Sequence, residues 1–256
     1  MPEVTLSRPS DHVAVIRIDR PEAMNALSLS VRQQVAAIVN ELNDDDETRV
    51  IVLTGGEKVF AAGADVAELN KRTVLSNQFR LSRVAWDALD SCRKPIIAAV
   101  NGYALGGGFE MALHCDIIIA GDETKVGQPE VRLGIMPGAG GTQRFVRATG
   151  KYQAMRWLMT GDQIPAQTAY EIGLISEVVP EAEVQSHALK LAEKIARLPP
   201  LAIEGSKQAV IMGAEASLPT ALAFENKIFQ LLFASEDKAE GTSAFLEKRK
   251  PEFKGK

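Results

Sequence analysis

The chain reads as an α/β protein with parallel strand pairing, and three observations predict it. Short apolar runs rich in Val, Ile and Ala recur at 13–18, 50–53, 96–100 and 116–120. Helically spaced apolar residues lie between them, and such alternation builds parallel sheets through right-handed crossovers. From about Gln153 the strands give way to successive helical segments, so an α/β core precedes a mostly helical third.

Taken in order, Val13-Ala14-Val15-Ile16-Arg17-Ile18 is a strand ended by Arg20-Pro21. Residues 28–42 read as a helix, with Leu29, Val35, Ile38, Val39 and Leu42 at three- and four-residue spacing, closed by Asn43-Asp44-Asp45-Asp46. Val50-Ile51-Val52-Leu53 is a buried strand stopped by Gly55-Gly56. Small residues in Phe60-Ala61-Ala62-Gly63-Ala64-Asp65-Val66 lead into a helix, and 81–89 forms a second amphipathic helix ended near Lys94-Pro95. The strand at 96–100 breaks at Asn101-Gly102, followed by Gly106-Gly107-Gly108, a helix at 109–114 and a strand at 116–120. Helices are then expected at 153–160, 166–173, 182–197, 202–212 and 217–233. The resulting division is 1–195, a core carrying the site, and 196–256, a helical region with a broad apolar face that includes Phe224, Ile228 and Phe229.

Composition narrows the function. The 256 residues are 46% hydrophobic and 24% charged, which is globular composition with length for a large core. A net charge of −4 supplies no field for nucleic acid. No apolar run approaches the ~18 residues of a membrane span, and the first residues lack a charged-then-apolar signal pattern. Cys92 and Cys115 have no metal-ligand spacing, and His12, His114 and His187 are scattered. A cytoplasmic, reduced chain with no metal and no redox cofactor is expected.

Chemistry concentrates at glycine-rich junctions. Gly106-Gly107-Gly108 opens a helix whose free N–H groups carry partial positive charge, and Glu110 stands in its first turn. Glu130 follows Pro129 and begins a short helical turn or caps a loop. Ala62-Gly63-Ala64-Asp65 is a second junction of the same character, with Asp65 favourable at a helix start. Two such junctions supply one N–H each to a single carbonyl oxygen, the layout of an oxyanion hole, beside carboxylates that move protons. Pro137-Gly138-Ala139-Gly140-Gly141-Thr142-Gln143-Arg144 is a third glycine-rich loop, but it lacks the Gly-Lys-Ser/Thr ending of a P-loop.

These segments, with Arg20-Pro21, Asn25-Ala26-Leu27, Gly127-Gln128-Pro129-Glu130 and the ending Ser243-Ala244-Phe245-Leu246-Glu247-Lys248-Arg249, resemble the crotonase (enoyl-CoA hydratase/isomerase) family over nearly the whole chain. The resemblance implies a spiral of repeated ββα units with a C-terminal helical trimerisation region, assembled as a trimer or a dimer of trimers. It implies an acyl thioester of coenzyme A as substrate, so that coenzyme A is part of the substrate and no separate cofactor is needed. Carried over by position, Glu110 and Glu130 are the two catalytic glutamates, and Ala64 and Gly107 are the oxyanion donors. Coenzyme A is expected along Ala62, Ala64, Asp65, Val66 and Ala67, with Gly107, Phe229, Phe245 and Lys248, the last two from a neighbouring subunit, and Gly138 at the acyl pocket.

The implied reaction is addition of water to a trans-2-enoyl-CoA, giving a 3-hydroxyacyl-CoA. An enoyl-CoA isomerase is the alternative within enzymes. RNA binding, found in some relatives, wants a basic exposed helix, whereas 28–42 carries only Arg32 as a positive charge. The pattern resembles short-chain β-oxidation hydratases and phenylacetate-pathway hydratases about equally, and the latter act on dehydroadipyl-CoA. Arg72, Arg80 and Arg83 are candidates to reach a terminal carboxylate, each also readable as a solvated helix residue.

Overall fold

The computed structural model describes residues 3–73 and 83–256. Its strands are β1 (Val4–Ser10), β2 (Val13–Ile18), β3 (Val50–Thr54), β4 (Ile96–Val100), β5 (Tyr103–Leu105), β6 (Ile117–Gly121), β7 (Lys125–Gly127), β8 (Ile164–Pro165) and β9 (Glu177–Val179). The helices of the first two thirds are α1 (Leu29–Asp44), α2 (Val66–Asn70), α3 (Val84–Ser91), α4 (Gly107–Leu113), α5 (Gly141–Thr149), α6 (Lys151–Thr160), α7 (Ala166–Glu171) and α8 (Val184–Ala196). Then come α9 (Pro200–Ala214), α10 (Leu218–Leu232) and α11 (Glu236–Glu247).

One sheet has the order β1-β2-β3-β4-β6-β9, parallel throughout except for the antiparallel β1–β2 pair. Alternate residues of its strands bury on opposite faces. Val13, Val50, Val52, Ile97, Ala99 and Ile119 pack under α8, whose Val184, Ala188, Ala192 and Ala196 recur at four-residue spacing. Ile16, Ile51, Leu53, Ala98 and Ile118 face the larger core, with Val31, Val35 and Val39 of α1. Burial of both faces is why these strands read as continuous apolar runs.

The remaining strands form a second sheet, β5-β7-β8. Parallel bridges Ala61↔Ala104 and Leu27↔Ala64 carry this layer back toward the start of the chain. β4 passes through Asn101-Gly102 into β5 and then α4, and β6 passes into β7 and a 3-10 turn at Pro129–Leu133. These are the repeating strand–strand–helix turns that the resemblance implies. The bend at Gly102 needs a glycine: φ is +63°, and a Cβ would lie 2.1 Å from the Lys58 carbonyl oxygen.

Several elements differ from the sequence expectation. β1 carries Arg8, Pro9 and two serines, and it is stable because it sits at the sheet edge. α4 begins at Gly107 rather than 109, capped by Gly106 at φ +52°. The segment expected as a glycine-rich loop becomes α5 from Gly141 onward, after Gly140 turns the chain at φ +98°. α3 starts at Val84, and residues 81–82 of the expected helix lie outside the described residues.

At the C-terminal end α9 and α10 pack on one another. The tail folds back on α11, where the buried Asp237 carboxylate accepts the N–H groups of Lys254 and Gly255 at 2.6 and 2.8 Å. Phe229, Leu231, Phe245 and Leu246 are exposed on these helices. Among the described residues no helix is long and apolar enough to cross a membrane.

Candidate active site

The glycines ahead of α4 fix the site from the backbone outward. A Cβ at Gly108 would lie 2.1 Å from the Ala61 carbonyl oxygen, so only glycine lets α4 start this close to 60–64. Glu110, one turn in, is almost fully buried at 3% exposure. Its Oε1 accepts the N–H groups of Ala139 (2.7 Å) and Gly141 (2.9 Å), which leaves Oε2 for a reactant. Burial pushes the carboxyl above its ordinary value, against the pull of those two N–H groups and of His114.

His114 holds the same loop from behind. Its Nε2 lies 2.9 Å from the Ala139 carbonyl oxygen, its Nδ1 lies 2.7 Å from Asp90, and its ring stacks on Trp86. None of these supports was visible as a site in the sequence. His114 falls one helical turn after Glu110, which is the one local signal that linked them.

Glu130 is in the 3-10 turn that Pro129 opens, as expected. Gly106 makes room for it: a Cβ there would lie 2.9 Å from Glu130 Oε1. With its amide assigned in the orientation that satisfies its neighbours, buried Gln128 donates through its nitrogen to both Glu130 oxygens at 3.1 Å. Burial, opposed by its own backbone N–H and reinforced by the like charge of Glu110, pushes the Glu130 carboxyl up to about 7. One glutamate is thus anchored by backbone donors, and its neighbour is poised to hold a proton near neutral pH.

Both glutamates line a cavity of about 680 Å³, together with Ala62, Ala64, Gly107 and Gly138. A Cβ at Gly107 would lie 3.6 Å from the Ala64 nitrogen, so the two backbone segments run side by side at the cavity wall. Among the described residues neither the Ala64 nor the Gly107 N–H donates to a protein acceptor. Val66 also lines the cavity. Asp65 caps α2, accepting the N–H groups of Ala67 and Glu68 at 3.1 and 3.2 Å, so the Ala67 N–H is already engaged.

The C-terminal candidates stand apart. Phe229, Phe245 and Lys248 do not line this cavity; Phe229 packs edge-on against Phe233, Phe245 is 83% exposed, and Lys248 ends α11 at φ +58°. A second hollow, about 550 Å³ between α11 and the tail, is lined by charged side chains such as Glu240 and Arg249 and contains none of the candidate residues. Of the three arginines named as candidates for a terminal carboxylate, Arg83 is exposed beside Asp87, Arg80 lies outside the described residues, and Arg72 is half-buried with its side chain in the cavity wall. Arg32, read from the sequence only as a stray positive charge, is buried there too. Its signal was its place among Val31, Val35, Ala36 and Val39 on the apolar side of α1.

The family model described as enoyl-CoA hydratase/isomerase matches residues 8–256. The chain belongs to the enoyl-CoA hydratase/isomerase family. This hydratase is 44% identical to 2,3-dehydroadipyl-CoA hydratase of Escherichia coli over the full length of both chains. It is 43% identical to the short-chain-enoyl-CoA hydratase of Clostridium acetobutylicum, covering 94% of this chain and 93% of the relative. The crystal structure of an enoyl-CoA hydratase from Bacillus anthracis superposes with a TM-score of 0.95 at 38% identity, covering 99% of this chain and all of that one. The fold is the crotonase fold, the chain is an enzyme, and its reaction is hydration of an enoyl-CoA, with an acyl-CoA thioester as substrate.

Proposed function

We propose that Glu110 and Glu130 hold one water between them and that Ala64 and Gly107 hold the thioester oxygen. Conjugation to the thioester makes C3 of the enoyl group electrophilic. Attack there moves charge onto the thioester oxygen, where two fixed N–H donors meet it as it develops. Glu110, through Oε2, takes a proton from the attacking water. Glu130, protonated, gives a proton to C2. A C3–O and a C2–H bond thus replace the C2=C3 π bond and one water O–H bond, with Glu110 left protonated and Glu130 ionised, without a metal or a redox step. The carrying observation is the pairing in one cavity of an anchored carboxylate with a neighbour whose carboxyl is pushed up to about 7.

Coenzyme A is assigned to the segment 62–67, with Phe229, Phe245 and Lys248 reaching it within a trimer or dimer of trimers in the cytoplasm. The apolar side chains left exposed on α10 and α11 support such an assembly. Glu110→Gln and Glu130→Gln test the central reading. Each is expected to lower kcat for crotonyl-CoA hydration by about 10²–10⁴, with thioester binding retained. More than about a tenth of the original kcat in either variant overturns that residue's role. Double-bond migration without hydration in the unaltered enzyme favours the isomerase alternative.

A further inference from the structure

Two buried guanidiniums in the cavity wall have no use in the hydration chemistry. Arg32, on the first turn of α1, has a side chain 5% exposed; Arg72, just after α2, has one 9% exposed. Both line the cavity that holds Glu110 and Glu130, beside the apolar side chains of Leu27, Leu69 and Trp86. Arg32 Nη2 and Arg72 Nε are buried and make no hydrogen bond. A buried guanidinium N–H without an acceptor costs the desolvation of a charged donor.

Among the described residues, the carboxylate that pairs with them, Glu68, does not satisfy them. Glu68 Oε2 is 3.8 Å from Arg32 Nη2 and 3.6 Å from Arg72 Nη2, beyond hydrogen-bond distance. Its oxygens already accept the Leu29 N–H, at 3.2 and 3.0 Å, at the start of α1. Among the described residues, two cations therefore share one anion that is committed elsewhere, and one positive charge is left over. Burial and the neighbouring Arg72 together lower the Arg32 pKa to about 10, with Glu68 opposing them. The charges acting on the glutamate carboxyls include His114 for Glu110 and Glu110 for Glu130. The arginines line the same cavity as the proton-transfer pair.

We propose that Arg32 and Arg72 form an anion subsite for the far end of the acyl chain, so that this enzyme selects enoyl-CoA substrates ending in a carboxylate. The inference rests on the reading of this cavity as the acyl-thioester site. Apolar walls accept the methylenes, and a planar carboxylate supplies two acceptors to donors that otherwise have none. One carboxylate also neutralises the charge left over by Glu68.

Binding of saturated thioesters tests the subsite without turnover. Hexanedioyl-CoA and hexanoyl-CoA, titrated calorimetrically against the unaltered protein, differ only in the terminal group; butanedioyl-CoA and octanedioyl-CoA locate the chain length that spans the cavity. At the best length, the carboxyl-ended ligand is expected to bind at least about ten-fold tighter than its methyl-ended counterpart, the size of one charged hydrogen bond. Arg32→Met and Arg72→Met are each expected to shrink that ratio, and Arg32→Lys to keep part of it. Equal affinities for both end groups at every length overturn the proposal with the unaltered protein alone, whatever the folding of the variants. Equal losses for both ligands in the Met variants also overturn it, because they place the arginines on coenzyme A or in the framework. Hydration of crotonyl-CoA, measured alongside, reports on the hydratase mechanism separately.

Discussion

Gly141 and Glu110 are fitted to each other. The Gly141 N–H reaches Glu110 Oε1 at 2.9 Å, and a Cβ on Gly141 would stand 3.0 Å from Glu110 Cγ and 2.7 Å from the Gln128 side-chain amide. One backbone position therefore sets both the anchored carboxylate and the amide that supports Glu130. Gly141→Ala is expected to move both side chains while α5 survives, since alanine favours a helix. Small misplacements of reacting groups cost up to about 10² in rate, so kcat should fall by one to two orders of magnitude with KM little changed. Steady-state kinetics on crotonyl-CoA, with far-ultraviolet circular dichroism to confirm the helix, checks this; an unchanged kcat would show that the fit does not matter.

The long apolar elements were legible because their periodicity is strong. The strands expected at 13–18 and 96–100 stand where their spacing put them, and the strand and helix expected at 50–53 and 28–42 are found at Val50–Thr54 and Leu29–Asp44. β5, β7 and β8 span only three, three and two residues, too few for alternation to register, and what holds them is pairing with distant segments. Gly140-Gly141 read as loop because glycine weakens a helix, yet Gly140 is needed at φ +98° to turn the chain into α5. Glu110 and Glu130 stood out through their glycine and proline neighbours, and the fold brings both to one cavity. Arg32 did not stand out, because a single charged residue in an apolar stripe reads as noise until its burial is seen.

Glu130 makes both activity and stability depend on pH. Its folded value, about 7, lies above its ordinary 4.5, so the folded chain binds more protons than the unfolded chain between those two values. Stability from this group is present below the ordinary value and is lost as pH rises through about 7. Glu130→Gln removes the titrating group, so its Tm should fall less than that of the original enzyme across this window. In the proposed mechanism protonated Glu130 is also the donor, so kcat/KM should decline above about 7 on the alkaline side. Calorimetric scans of both proteins across the window check the first point; parallel Tm profiles would mean that Glu130 titrates in its ordinary range.

The exposed apolar side chains of α10 and α11 predict assembly. Phe229, Leu231, Phe245 and Leu246 are 57%, 74%, 83% and 80% exposed, and large apolar side chains exposed together mark an interaction surface. Sedimentation velocity is expected to give a trimer or hexamer, and Phe245→Asp to weaken it. A stable, fully active monomer would contradict this and would also remove Lys248 and Phe245 from the coenzyme A site.

The proposed oxyanion donors, the Ala64 and Gly107 N–H groups, cannot be removed by trimming a side chain, because both are backbone groups. Gly107→Pro deletes one N–H, but it also restricts φ at the start of α4 and so confuses chemistry with folding. Spectroscopy separates them. A chromophoric enoyl-CoA bound to the Glu110→Gln enzyme, where attack is slowed, should show red-shifted absorption and a lowered thioester C=O stretching frequency. The cause would be two N–H groups, Ala64 beside the glycine junction and Gly107 at the helix start, drawing electrons toward the carbonyl oxygen. Loss of one such donor costs about 3–4 kcal/mol in comparable sites, so the polarisation is large enough to read. A bound ligand with the spectrum it has in water would place the carbonyl elsewhere, and the charge developed during attack would then need another source of stabilisation.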